Sequence, residues 1–141
     1  MLKNDNCVPF PSGSSAPGEA AETRIRLNLQ VTTTGEISVV SCSGRIVYRE
    51  EATALSSSVM KLSPRPECIV LDLSGVAAID SAGLGELVVL YMWADAFGCQ
   101  IKLAGAEACI REMLELTNLS SVFPMYSSTA QAIQSFRDRV A

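Results

Sequence analysis

Histidine is absent from all 141 residues, and a large part of enzyme chemistry is absent with it. No His can serve as general base for a serine or cysteine nucleophile, and no His can complete a zinc site. Lys61 and Lys102, the lysines inside the folded part, do not stand at the short spacing from a serine that serine-lysine enzymes use. Basic runs are missing too, and the net charge is -4, which leaves no electrostatic footprint for nucleic acid or an anionic membrane surface. The longest apolar run, Leu87 to Ala94, sits between Glu86 and Asp95 and falls far short of the roughly 20 residues of a membrane span. The start, MLKNDNCVPFPSG, lacks the apolar stretch of a secretory signal, so a cytoplasmic protein is expected. Cysteines are present, at Cys7, Cys42, Cys68, Cys99 and Cys109, but without a C-x-x-C pair. They are expected to be small buried residues of a reducing compartment, with no metal site.

What is present is the composition of one soluble globular domain, 48% hydrophobic and 18% charged. Residues 1–23, rich in Pro, Gly, Ser and Ala, read as a flexible arm. From Arg24 onward Ile25, Leu27, Leu29 and Val31 alternate with polar neighbours, as in a half-buried strand, and a turn follows over Thr32 to Gly35. Glu36 to Ser43 reads as a more fully buried strand ended by Gly44. Ala52, Leu55, Val59 and Leu62 place one apolar stripe on a helix from Tyr48 to Leu62, closed by Pro64 and Pro66. The run CIVLDL, Cys68 to Leu73, predicts a central parallel strand broken by Ser74 and Gly75.

A helix over Ser81 to Phe97 follows, with Gly98 as its left-handed cap. Ile101 to Ala104 reads as a strand, Glu107 to Thr117 as a helix capped by Asn118, Val122 to Tyr126 as an edge strand, and Ser128 as the cap of a last helix. Alternating strands and helices predict an α/β fold: a mixed, mostly parallel sheet of four to five strands with four helices over residues 24–141.

The stretch AAIDSAGLGEL, Ala77 to Leu87, carries the residues that invite a function. Ser81 on a strand-to-helix turn resembles a hydrolase nucleophile in placement, but it has no base to activate it. Gly83 and Gly85 at a helix N-terminus suggest an anion site. Yet the third glycine, the lysine and the acidic ribose partner of nucleotide loops are all missing, and Asp80 would repel a phosphate. Asp80 or Ser81 can cap the helix, worth about 1 kcal/mol. A cap alone does not explain two glycines, Gly83 and Gly85, beside Ala82 and Leu84 in the first turn, since glycine favours a helix poorly. They keep the surface around Ser81 low, as a docking surface would require. An added phosphate at Ser81 would bring about two negative charges to it.

The run IVLDLSGVAAIDSAGLGELVVL, Ile69 to Leu90, resembles the signature of the STAS domain, shared by sulfate transporters and anti-sigma factor antagonists. The similarity continues through GCQIKLAGAEACIREMLELTNLSSVF, covering about Arg24 to Arg137. The resemblance implies a non-enzymatic cytoplasmic anti-sigma factor antagonist, which needs no cofactor. Such a protein binds an anti-sigma factor that is also an ATP-using serine kinase, frees a sigma factor, and lets go when phosphorylated. It implies Ser81 as the phosphoacceptor, with Asp80, Ala82, Gly83 and Leu84 in the partner-binding motif. The alternative is a non-phosphorylated STAS-like scaffold or accessory subunit of a stress-signalling or lipid-transport complex.

Two features depart from the pattern. Gly44 is followed by Arg45 where many relatives carry an acidic residue, which changes the charge offered to a partner and adds both positions to the candidate surface. The helix segment VVLYMWADAF is apolar nearly all round, although a helix covering one sheet face keeps a polar outer side. Tyr91, Met92 and Trp93 are therefore expected either as extra core or as an exposed patch for a homodimer.

Overall fold

The computed structural model describes residues 27–140; the expected arm and the start of the domain at Arg24 lie outside the described residues. A five-stranded sheet runs in the order β1 (Leu27–Thr34), β2 (Ile37–Ile46), β3 (Cys68–Ile79), β4 (Gln100–Ala104) and β5 (Met125–Tyr126). β1 is antiparallel to β2 and every other pairing is parallel. Between the strands run α1 (Tyr48–Met60), α2 (Ser81–Phe97), α3 (Ala108–Leu116) and α4 (Thr129–Val140). This is the mixed α/β sheet with four helices that the alternating pattern predicts.

The two faces of the sheet carry unequal cores, because successive side chains of a strand point to opposite sides. On the larger face Val40, Cys42, Ile69, Leu71, Leu73, Ile101 and Leu103 meet Leu55 and Val59 of α1, Leu87 and Leu90 of α2, and Ile110 and Leu114 of α3. On the smaller face Ile37, Val39, Val70 and Ala104 meet Ala132 and Phe136 of α4. Lys102 is buried on that smaller face, where its ammonium donates to Ser135 Oγ at 2.7 Å and lies 4.1 Å from the centre of the Phe136 ring. The neighbouring π face and the hydroxyl together replace part of the water the charge gives up.

Both strands that lead to the motif are longer than predicted. Gly44 does not end β2. Its φ of +116°, with a register shift beside it, lets the strand continue to Ile46, since glycine accepts positive φ without a Cβ clash. Ser74 and Gly75 do not break β3 either. Between Ser41–Asp72 and Ser43–Gly75 two residues of β2 advance against three of β3, so the Ser-Gly pair marks a bulge.

The edge strand over Val122 to Tyr126 shrinks to Met125–Tyr126 because Leu119–Ser121 forms a 3₁₀ turn and Phe123 goes fully into the core. Other terminators behave as predicted. Gly98 and Asn118 both take left-handed conformations, and Ser128 Oγ caps α4 by accepting from Gln131 N at 3.1 Å. In α3 Ile110 and Leu114 are buried, whereas Leu116, on the same predicted pattern, is exposed.

Candidate functional site

The motif lies beyond the carboxyl ends of the parallel strands β2 and β3, where open α/β sheets present their binding surfaces. Its geometry is set by Asp80, the N-cap of α2. Asp80 Oδ1 accepts from Gly83 N at 3.1 Å, and Oδ2 accepts from Tyr48 N at 3.0 Å. The Asp80 amide donates to the Ile46 carbonyl at 3.3 Å, and its own carbonyl accepts from Leu84 N at 2.9 Å. One residue thus ties the ends of β2 and β3 to the starts of α1 and α2. The bond to Tyr48 N also holds that residue at a φ of +68°, a conformation a tyrosine rarely takes. Sequence reasoning missed Tyr48, whose ring is exposed beside the motif; no local signal marks a tyrosine for the left-handed region.

Gly83 explains why the first turn of α2 contains a residue so poor for helices. A Cβ there would stand 2.5 Å from the Ile46 carbonyl oxygen and 2.7 Å from Ile79 Cγ1. The absent side chain is what lets α2 seat against the end of β2. Gly85, one turn position further out, faces open space, with nothing within 4 Å of where a Cβ would be.

Of the other predicted positions, Ala82 and Leu84 are half-buried and pack against the core, while Ser81 is exposed. The Ser81 hydroxyl has no hydrogen-bond partner among the described residues. Gly44 and Arg45 stand on the strand beside the motif, opposite Val76 and Ala78. Arg45 is half-buried, and its Nε is buried without a hydrogen-bond partner among the described residues. The structure therefore brings Gly44, Arg45, Asp80 and Ser81 to one end of the sheet.

The expected patch on α2 divides into two parts. Trp93 is half-buried and packs against the core, as an additional core residue would, whereas Tyr91 is exposed, with its ring edge-on to Phe123 at 5.9 Å. Met92, 63% exposed, stands outside with Val88 and Val89. At 100° per residue Ser81, Gly85, Val88 and Met92 fall on one stripe, so the exposed hydroxyl heads an apolar outer face.

Among the described residues no group of three or more His, Cys, Asp or Glu could hold a metal ion, and no helix is long and apolar enough to cross a membrane. Burial pushes the Cys42 thiol up to about 12, reinforced by the charge of Asp72. Burial also raises Cys99 to about 11, with Cys68 adding to the shift and Arg65 opposing it. Both are therefore protonated and inert near neutral pH. Cys109 departs from the expectation of unbonded thiols. It is half-buried and disulfide-bonded. The cavity of about 330 Å³ lined by Tyr91, Asp95, Lys102 and Phe123 includes no residue of the motif.

Comparison with known proteins bears on the same stretch. The family model described as "STAS domain" matches residues 28–132. An anti-sigma factor antagonist from Mycobacterium paratuberculosis is 27% identical, with a TM-score of 0.70 over 79% of this chain and 94% of that one. A putative anti-sigma factor antagonist from Thermotoga maritima is 23% identical, with a TM-score of 0.68 over 77% of this chain and 94% of that one. The STAS domain of a SulP transporter from Vibrio cholerae is 15% identical, with a TM-score of 0.64 over 77% of this chain and 87% of that one. The last two likenesses are likenesses of fold.

Proposed function

The chain belongs to the STAS domain family, and from that membership we propose that it is an anti-sigma factor antagonist switched by phosphorylation of Ser81. In this reading it binds an anti-sigma factor that is also a serine kinase, and the sigma factor held there is released. Transfer of a phosphate to Ser81 then ends the complex. The observation that carries the reading is the division of labour between adjacent residues. Both oxygens of Asp80 are engaged in holding the fold, while the Ser81 hydroxyl beside them is exposed and unengaged.

Such a serine suits the role of substrate better than that of nucleophile. The helix N-terminus would tolerate a phosphate locally, but about two added charges next to the Asp80 carboxylate would oppose an acidic or apolar partner surface. The apolar stripe below Ser81 supplies contact area with little relief, and Arg45 alters the charge met on the β2 side. The neighbour from Mycobacterium paratuberculosis, itself called an anti-sigma factor antagonist, supports the same role.

Incubation with ATP and each serine-kinase anti-sigma factor of the same genome, followed by intact-mass measurement, tests this. One phosphate adduct is expected with the cognate kinase and none in Ser81→Ala. Ser81→Ala should still bind that partner, and Ser81→Asp should bind it more weakly. No adduct with any candidate, together with equal binding by both variants, would favour the non-phosphorylated scaffold.

A further inference from the structure

The edge of β4 that faces β5 is only half used. Gln100 N donates to the Glu67 carbonyl at 2.9 Å on the β3 side, whereas Leu103 N and Gly105 N donate to the Pro124 and Tyr126 carbonyls at 2.9 and 3.0 Å on the β5 side. Backbone groups alternate between the two edges of a strand, so the Ile101 amide points toward β5 as Leu103 does. Continuing the ladder by two residues would give it the Val122 carbonyl. That segment is instead drawn into the 3₁₀ turn, where Val122 N and Phe123 N both donate to the Leu119 carbonyl, at 3.1 and 3.0 Å. The Ile101 amide is left without an acceptor among the described residues, in a residue only 6% exposed. Buried amides are almost always paired, and this one calls for an acceptor from outside the fold.

The cavity of about 330 Å³ opens against this edge, with Ile101 in its lining, and it falls at the small end of ligand sites, which run from about 300 to 1,000 Å³. Ala94 and Phe123 of the lining are buried, while Tyr91 and Asp95 are exposed. Lys102 lines it too. Among the described residues its ammonium has one oxygen acceptor, Ser135 Oγ, and otherwise lies over the rings of Phe136 and Tyr126. An ammonium carries three donors, so it can still attract an anion. Asp95 and Lys102 are the charged side chains of the lining, one of each sign.

We propose that this cavity binds a free apolar α-amino acid as its zwitterion. The carboxylate accepts from the Ile101 amide and lies toward Lys102, the ammonium group meets Asp95, and the side chain rests on Ala94 and Phe123. Each part of the ligand answers one feature of the lining. Unmet donors call for an anionic acceptor, yet a simple anion would be repelled by Asp95; a cationic group one carbon away turns that repulsion into attraction. The buried apolar residues then select a hydrocarbon side chain. The site is separate from the motif, since Ser81 begins α2 and Tyr91, Ala94 and Asp95 lie in its second half. It stands whether or not Ser81 is phosphorylated.

The test titrates the full nitrogen-15-labelled chain with L-leucine and follows the backbone amide resonances. A saturable change is expected, with the Ile101 amide proton moving downfield as it gains an acceptor, while Ser81 and Gly83 stay in place. 3-Methylbutylamine, which lacks the carboxylate, should bind about tenfold more weakly or worse, as loss of a charged acceptor implies. 4-Methylpentanoate, which lacks the ammonium, should bind about threefold more weakly, the scale of an exposed ion pair. Asp95 is exposed, so Asp95→Asn should fold as the wild type does and erase the preference for L-leucine over 4-methylpentanoate. No saturable change at the solubility limit of L-leucine, a change that leaves Ile101 unmoved, equal binding of L-leucine and 3-methylbutylamine, or an undiminished preference in Asp95→Asn would each overturn the proposal.

Discussion

The inner and outer sides of α2 differ most clearly in two glycines that stand two residues apart. Gly83 is buried where any Cβ would strike the Ile46 carbonyl, whereas Gly85 is exposed with open space around it. The inner side continues into Leu87, Leu90 and Ala94 of the core, and the outer side into Ser81, Val88 and Met92. Identical residue types thus answer different demands. On the inner side glycine is required by packing, and on the outer side the fold makes no such requirement. That leaves the low relief around Ser81 to be explained by something outside the fold.

The inner side should break first. Gly83→Ala is expected to cost about 1–3 kcal/mol, the usual penalty of an overpacked site. The struck atom is a backbone oxygen that cannot rotate away, so the value should lie toward the upper end, read as a lower urea midpoint at unchanged slope. A near-neutral result would mean that α2 can lift from β2, and the contrast between the two sides would weaken. Asp80→Ala comes next, at about 1–2 kcal/mol, for loss of the cap on Gly83 N and of the acceptor for Tyr48 N. Asp80→Asn retains one good acceptor and should recover part of that loss. If Asn and Ala were equally destabilised, the bridging of both helix starts by one carboxylate would not be the stabilising element.

How legible this was from the sequence depends on the range of the interactions involved. Caps and terminators at Gly98, Asn118 and Ser128 act within a few residues and were readable as such. Nothing local indicates the Ser135 hydroxyl and the Phe136 ring that receive Lys102. Gly44 and the Ser74-Gly75 pair were misread as strand ends. Glycine in a strand signals either an end or a bulge, and only the neighbouring strand, with Ser43 packed against Gly75, decides between them. The site followed the same rule: the motif of Asp80 and Ser81 was visible in one short stretch, whereas the attachment of Tyr48 spans 32 residues and leaves no local trace. Trp93 and Met92 are adjacent in an all-apolar segment, so pattern alone could not say which of them faces outward.

Gly85→Ala sharpens the comparison with the smallest expected change in stability and the clearest bearing on function. Alanine gains roughly 0.5–1 kcal/mol over glycine in a helix interior. With nothing within 4 Å of the new methyl group, that gain should appear undiminished as a higher urea midpoint. Gly83→Ala receives a similar propensity gain, so the difference between the two variants isolates the contact with Ile46 from helix propensity. A glycine that lowers stability without any packing need is expected to serve an approaching surface. Gly85→Ala should therefore bind the cognate partner more weakly while the protein itself becomes more stable, an opposition that no purely structural role produces. Tighter folding with unchanged binding would place the partner elsewhere than on the outer side of α2, and Ser81 would then stand apart from the apolar stripe that begins beneath it.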